Sequence, residues 1–543
     1  MKLVSVSEMR AVEQEADANG LTYDLMMENA GHNLAHEVME LAYFQDDEED
    51  VQALGLVGPG NNGGDTLVAL THLAEKGWTA RAYLVKRKAE KDPLVKRLED
   101  AEGEIYIAET DNGFHQLQAF IETADVLLDG VLGTGFKLPL KEDVGHVLAA
   151  AQGIIAGMEW PPFVAAVDCP SGVDCDSGQA AADTIPADAT VTMAAIKQGL
   201  LKLPAYGLAG ELRVVGIGPL DDLKSWQAIM NEVADEEKVT AILPRRGLDS
   251  HKGTFGTAVI AAGSFNYTGA ALLAGKAAYR SGAGLVTLAV PAPLHGALAG
   301  QFPEATWLLL PHEMGVIASG AAEVLAKNIE RATALLIGPG LGTEETTKEF
   351  ITNLLDNAAP TAHGRMGFLQ NPGARPEWKP AALPPLVFDA DGLKLLAKLP
   401  DWPKLLPAPA ILTPHPGEMS ILTGTPTEEI QKDRLATAKK FAALWGHVVV
   451  LKGAFTVVAA PDGRTTTIPV ATPALARAGT GDVLAGLITG LRAQGVEAYE
   501  AAAAGAWIHA QAGLAAAEVK GSNAAVMSGD VLDAVVDVMS TIE

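Results

Sequence analysis

Short runs of aliphatic and β-branched residues, each closed by Gly, Pro or Asp, alternate with longer Ala- and Leu-rich segments along most of this chain. Apolar runs too short for helices suit strands buried on both faces, and helical segments between them suit crossovers joining parallel neighbours. The alternation therefore predicts α/β domains built on largely parallel sheets. In the N-terminal part the runs are "VQALGLVG" (51–58), "ARAYLVK" (80–86), "ADVLLDG" (124–130), "FVAAVDC" (163–169), "ATVTMAA" (189–195) and "LRVVGIGPL" (212–220). The stretch "DDLKSWQAIMNEVADEEKVT" lacks strand character, after which alternation resumes with "GTAVIAAG", "GLVTLAVP", "TALLIGPG", "PLVFDADG", "PAILTPHP" and "VVVLKGAFTVVAAPDG". We expect a first domain over 1–218, a linker over 219–240 and a second domain over 241–543. Residues 356–385, rich in Pro, Ala and Gly, read as a long surface loop.

A length of 543 residues agrees with more than one domain. With 48% hydrophobic and 20% charged residues, neither disorder nor a fibrous repeat is the leading class. The start "MKLVSVSEMRAVEQEAD" is polar and acidic where a signal peptide is basic and then apolar, so the expectation is a soluble cytoplasmic protein. Cys169 and Cys175 form neither a disulfide framework nor a zinc pattern and read as free thiols. A net charge of −27, with no Lys/Arg cluster, disfavours nucleic acid and anionic lipid as partners. An anionic ligand must then be held by backbone N–H groups and a few chosen cations.

The second domain contains such a place. In "ARAGTGDVLAGLITG" (476–490) glycines let successive N–H groups converge just before a helix, whose positive end suits a phosphate or developing oxyanion. Asp482 beside that anion is either a helix cap or a base accepting a hydroxyl proton. "VVVLKGAFTVV" puts Lys452 and Gly453 at a strand end, where they meet a nucleotide or form a plain hairpin with a solvated lysine. His415, between Pro414 and Pro416, reads as a positioned contact, because no second His or Cys stands at metal-ligand spacing. These elbows converge only on a parallel sheet.

In the first domain, "LVGPGNNGGDTLVALTHLAEKG" sets Gly58, Gly60, Gly63 and Gly64 between a strand and a helix as a backbone cradle, without the Gly-Lys-Ser/Thr ending of a Walker motif. "LLDGVLGTGF" and "AVDCPSGVDCDSG" bring Asp129, Asp168 and Ser171 to two other strand ends. Asn62, Asp129 and Ser171 are either oxygen donors for a hard monovalent cation or turn-capping side chains.

The ordered set "HKGTFGTAVIAAGSFNYTGA", "LIGPGLG", "DADGL", "LTPHPGEM", "LKGAFT" and "AGTGDVLAG" resembles the ribokinase-like NAD(P)H-hydrate dehydratases over nearly all of 241–540. That resemblance implies that ADP in bacterial members, or ATP in eukaryotic ones, phosphorylates the misplaced hydroxyl of hydrated NADH or NADPH with a divalent ion, Mg2+, on the nucleotide. It implies Asp482 as the base and Gly481 at the nucleotide phosphate. Lys452, Gly453, Ala454, Phe455 and Thr456 would hold the AMP portion, and Ala270, Gly340 and His415 the hydrate. With "EMRAVEQEADANGLTYDLMMENAG" added, the first-domain motifs look like the Rossmann-like NAD(P)H-hydrate epimerase domain over 1–218. There Asn62, Asp129 and Ser171 would hold potassium and Asp168 would be the acid/base residue at carbon 6. The dinucleotide would meet Asn61, Asn62, Gly63, Gly64 and Asp65, then Gly133, Thr134, Gly135, Phe136, Lys137, Leu138 and Pro139. Thr66 stands where many relatives have glycine, and a side chain there would narrow the loop. The resemblance also implies a homo-oligomer. A small-molecule kinase that stops at a phosphate ester, and a non-catalytic binding module, are the competing readings; "LTPHPGE" argues against the first and the retained Asp168, Asn62, Asp129 and Ser171 against the second.

Overall fold

The structure, a computed structural model, describes residues 1–42, 51–356 and 383–543. Residues 357–382 of the expected loop lie outside them. The chain divides into two compact units, Met1–Val233 and Ala234–Glu543.

The first unit is built on strands β1 (Gln52–Val57), β2 (Thr79–Leu84), β3 (Glu104–Ile107), β4 (Val126–Gly130), β5 (Phe163–Val167), β6 (Ala189–Met193) and β7 (Glu211–Val215). They lie side by side in the order β3-β2-β1-β4-β5-β6-β7, every pair parallel. Alternate residues sort to opposite faces. Ala53, Val57 and Leu128 join a core with the helices Val6–Ala18, Tyr23–Leu41 and Asn61–Glu75, while Leu54, Leu56 and Leu127 join another with His115–Ile121 and Glu142–Ala156. Three layers result. The strand order reverses between β1 and β4, so the crevice beyond their carboxyl ends is where an open parallel sheet takes a ligand. The motifs "NNGGD", "DGVLG" and "DCPSG" all stand at those ends. Strand β3 went unanticipated because "EIYI" is only four residues long and, at a sheet edge, only partly buried.

The second unit continues with β8 (Thr257–Ala261), β9 (Leu285–Pro291), β10 (Thr306–Leu310), β11 (Ala334–Ile337), β12 (Leu386–Phe388), β13 (Ile411–Leu412), β14 (Val448–Leu451), β15 (Val457–Ala459) and β16 (Thr465–Thr467). Their order is β16-β15-β14-β13-β12-β11-β8-β9-β10. Pairing is parallel from β10 to β14 and antiparallel from β14 to β16. Here too the strands separate two cores, with Ala258, Ile260 and Leu336 against the helices Thr268–Arg280 and Thr480–Ala493, and Val259, Leu335 and Ile337 against the opposite layer. The stretch read as lacking strand character contains a strand, Asn231–Val233, and the helices Lys224–Gln227 and Glu236–Ile242. Three residues with a single β-branched side chain, Val233, are too few for periodicity to register. Among the described residues no helix is long and apolar enough to cross a membrane.

The helix Thr480–Ala493 is seated by close backbone approach. A Cβ at Gly486 would press into the carbonyl oxygen of Ala274, and one at Gly490 into Ser281 and the Ala278 carbonyl. Small residues thus let this helix sink onto Thr268–Arg280 and fix the height of the turn that precedes it. Gly486→Leu should destabilise the second unit by about 3 kcal/mol, the upper range for overpacking; an unchanged urea-unfolding midpoint would show that the helices do not approach this closely.

Candidate active sites

Asp168 ends β5 with φ +65°, the left-handed region that costs a side-chain-bearing residue about 1–2 kcal/mol. Three donors hold it there. Thr192 Oγ1 (3.1 Å), the Met193 N–H (3.0 Å) and Lys197 Nζ all donate to Oδ1, and no hydrogen bond from the described residues reaches Oδ2. Lys197 is 1% exposed and also donates to Thr192 Oγ1 and the Met193 carbonyl, each at 2.9 Å. The result is a carboxylate with one oxygen tied down and the other offered to a cavity of about 440 Å³. Asn61, Asn62, Asp65, Gly133, Thr134, Gly135 and Phe136 line that cavity with Asp168 and Lys197, whereas Gly63, Gly64, Lys137, Leu138 and Pro139 do not. Gly63 serves instead as a close backbone contact to Gly58, and Gly64 gives way to Met27.

Beneath the cavity, Asp129 is fully buried. Its Oδ2 accepts from the Ser171 N–H at 2.8 Å, but Oδ1 has no partner among the described residues. Burial raises its pKa, against the hydrogen bonds from Ser171. Asn62 donates to the Val167 carbonyl at 2.5 Å and the Leu132 carbonyl at 3.3 Å, and Ser171 Oγ accepts from the Leu132 N–H at 2.8 Å. A buried carboxylate oxygen left unpaired among carbonyls, a hydroxyl and an amide is a donor set that fits a hard monovalent cation. Thr66 does not narrow the loop. It is fully buried, donates to the Asn62 carbonyl at 2.7 Å, and packs against Gly55 and Gly130 on the sheet side of the helix.

In the second unit Asp482 is no helix cap. Gly479, at φ +92°, is the residue before the helix Thr480–Ala493, and no side chain caps it, so the first-turn N–H groups stay open to a ligand. Burial first, then the carboxylates of Asp389, Asp391 and Glu418 against the opposing Lys452, push Asp482 up to about 7. Lys452 is not a solvated hairpin lysine either. Its Nζ meets Asp389 Oδ1 at 2.6 Å and Glu418 Oε2 at 3.8 Å. Burial works against this ammonium, but Asp389 and Glu418 outweigh it and its pKa rises. His415 caps the helix Pro416–Thr423, with Nδ1 accepting from the N–H groups of Gly417 (3.0 Å) and Glu418 (3.2 Å). Burial lowers its pKa, and with Nδ1 accepting from two N–H groups the ring's proton lies on Nε2.

A cavity of about 440 Å³ is lined by His415, Lys452, Gly453, Ala454, Thr456 and Gly481. Phe455 is buried behind the hairpin at φ +54°. Ala270 and Gly340 do not line this cavity but meet each other nearby, for a Cβ on Gly340 would lie 2.9 Å from that of Ala270 and 2.7 Å from that of Tyr267.

The family described as NAD(P)H-hydrate dehydratase matches residues 258–363 and 373–535, and that described as YjeF-related protein N-terminus matches 24–199. The bifunctional NAD(P)H-hydrate repair enzyme of Moorella thermoacetica is 34% identical, over 100% of this chain and 97% of its own length. The chain belongs to the bifunctional NAD(P)H-hydrate repair enzymes. Its relative in Thermofilum pendens, of the same description, is 34% identical over 96% of this chain and 93% of that one. Among solved structures, the ADP/ATP-dependent NAD(P)H-hydrate dehydratase of Bacillus subtilis, co-crystallised with ATP and Mg2+, is 34% identical, covering 57% of this chain and 99% of that one with a TM-score of 0.46.

In this hydrate repair enzyme several residues of the two sites were not singled out from sequence. Lys197 sits in "AAIKQG", one lysine among many, and only the fold buries it beside Asp168. Asp389 and Glu418 lay inside the quoted "DADGL" and "HPGEM", and a carboxylate at a strand-end elbow was the available signal. His509, in the helix Ala498–Lys520, lines the cavity with His415 and Lys452, and burial pushes its pKa down to about 4.

The raised value of Asp482 has a consequence for stability. Folded Asp482 keeps its proton to about pH 7, while an unfolded aspartate loses it near 3.8, so across that window the folded state binds more protons and stability falls as pH rises. Asp482→Asn should therefore raise the Tm at pH 8 by at least about 2 °C and leave it nearly unchanged at pH 4. Equal shifts at both pH values would show that Asp482 titrates normally.

Proposed function

We propose that the first unit interconverts the R and S epimers of hydrated NADH and NADPH, and that the second, supplied with ADP or ATP, dehydrates the S form to NAD(P)H. The observation that carries this reading is Asp482: a carboxylate with a pKa of about 7, in the first turn of an uncapped helix that offers N–H groups to a phosphate. A base is most effective when its pKa lies near the working pH.

The hydrate lies by Ala270, Gly340 and His415, and the nucleotide occupies the cavity at Gly453, Ala454, Thr456 and Gly481. Asp482 takes the proton of the carbon 6 hydroxyl as its oxygen attacks the terminal phosphorus, so ADP leaves as AMP. The open N–H groups at Gly481 and the helix end stabilise the charge gathering on the phosphoryl oxygens. Lys452, already held by Asp389, adds positive charge at a fixed point and does not swing free. The carbon 6–oxygen bond then breaks with its electron pair leaving on phosphate, and a carbon 5 proton passes to solvent as its bonding pair restores the ring double bond. Mg2+ enters with the nucleotide phosphates; among the described residues no group of three His, Cys, Asp or Glu is arranged to hold a metal ion.

In the first unit Asp168 Oδ2 is the acid/base atom at carbon 6, and Lys197 keeps the carboxylate oriented. Asn62, Asp129 and Ser171 would hold potassium, which supplies fixed positive charge beneath the dinucleotide loops.

Two single substitutions in the full chain separate the activities. Asp482→Asn should lower nucleotide-dependent dehydration by about 10²-fold or more and leave exchange of the R and S forms intact, while Asp168→Asn should do the reverse. Equal loss of both activities in either variant would contradict the division of labour. In the unsubstituted protein, kcat/KM for dehydration should rise with pH through about 7 and then level, because the base acts ionised; a flat profile would reassign it.

A further inference from the structure

Besides Asp129 and Asp168, the first unit buries a third carboxyl, which so far has only a place in the loop expected to meet the dinucleotide. Asp65, in the helix Asn61–Glu75, is 7% exposed and lines the cavity that holds Asp168 and Lys197. Its side chain makes no hydrogen bond with the described residues. A carboxyl buried this deeply is ordinarily paired, because its charge cannot otherwise be borne. It lies beyond the first helical turn, so it does not serve the helix end either. The charged and titratable groups lining the cavity around it are Arg10 and Glu13 from Val6–Ala18, Tyr23 at the start of Tyr23–Leu41, and Asp168 and Lys197 from the strand ends. Burial, then the negative charge of Asp168 with Glu13 adding and Lys197 opposing, raises Asp65 well above the carboxylate range. Lys197 is spent on Asp168 Oδ1. One cavity thus contains a carboxyl with one oxygen tied down and Oδ2 free, and a second, unpaired carboxyl whose protonated form burial favours.

We propose that Asp65 is the proton donor that works with Asp168 in epimer exchange. This rests on the reading of the cavity as the epimerisation site. Asp168 Oδ2 takes the proton of the carbon 6 hydroxyl, the carbon–oxygen double bond forms, and the bond from carbon 6 to ring nitrogen N1 breaks. Its electron pair stays on N1, which takes the proton of Asp65. Rotation about the carbon 5–carbon 6 bond presents the other carbonyl face. N1 then attacks that face, its proton returns to Asp65, and Asp168 returns its own to the oxygen. No atom is gained or lost and no oxidant is needed. With one carboxyl at the oxygen and the other at N1, both end as they began and neither has to carry a proton from one atom to the other.

The test uses the full chain with Asp65→Asn and Asp65→Glu, following exchange of R- and S-hydrated NADH by chromatography without nucleotide. Asp65→Asn should lower kcat for exchange by about 10²-fold or more, with KM within about threefold and with the alkaline limb of the pH profile gone from the residual rate. Asp65→Glu should restore part of kcat and bring the alkaline limb back. A raised KM at unchanged kcat would make Asp65 a binding group and overturn the proposal. A lowered kcat with the bell-shaped profile intact in Asp65→Asn would make its role structural, which also overturns it. Asp168→Asn, run alongside, distinguishes the deeper failure: exchange that survives that substitution would take down the reading of the cavity and the proposal with it.

Discussion

Lys452 and Asp389 meet at 2.6 Å inside the second unit, and the chemistry around them depends on that ion pair. Asp389 is 1% exposed, and its Oδ1 also accepts from Thr413 Oγ1 at 2.7 Å, so one oxygen takes both donors. A buried pair of this kind adds little net stability, since desolvation consumes most of its Coulombic gain. Its effect is to fix charges in place. With Lys452 committed to Asp389 and Glu418, the neighbouring Asp482 is left buried among carboxylates without a cation of its own, which is what lifts it to about 7. The first unit repeats the arrangement with different residues: Lys197 is committed to Asp168, and Asp65 is the carboxyl left over.

Both arrangements require strand ends that converge. Parallel pairing from β10 to β14 puts the elbows after β12, β13 and β14 side by side, so Asp389, Glu418 and Lys452 become neighbours although they lie far apart in sequence. In the first unit, parallel β4, β5 and β6 do the same for Asp129, Asp168 and Lys197. Glycine then sets the distances. Close approach at Gly486 and Gly490 lowers the helix that carries Asp482 onto its neighbour, and Gly58 against Gly63 tightens the turn that carries Asn62 and Asp65.

Much of this was legible in the sequence. The apolar runs that end in Gly, Pro or Asp became strands, because a strand buried on both faces leaves an unbroken hydrophobic signature. The strands "EIYI" and "TTT" did not: the first is short and only partly buried, and the second has no apolar residue to set it apart from loop. Asp482 could be named from its glycine-rich turn, and Asp168 from its place at a strand end together with the family resemblance. Lys197 could not be given a task in advance, and Asp65 was expected only as part of the loop meeting the dinucleotide, since what distinguishes both is burial beside other charges, and burial of a polar residue has no local signature. Thr66 was misjudged for a related reason: its position in the loop was visible, but the direction of its side chain, toward Gly55 and Gly130, is a property of the helix against the sheet.

The central claim is that the two units act in sequence on one metabolite, so that both epimers leave as the restored dinucleotide. The most direct measurement adds the full chain, potassium, magnesium and ADP or ATP to an equal mixture of R- and S-hydrated NADH, and follows dihydronicotinamide absorbance with nucleotide consumption. The account predicts complete recovery, one nucleotide cleaved per ring restored, and no slow second half. Recovery that halts once the S form is exhausted, or a stable phosphate ester without absorbance, would contradict it.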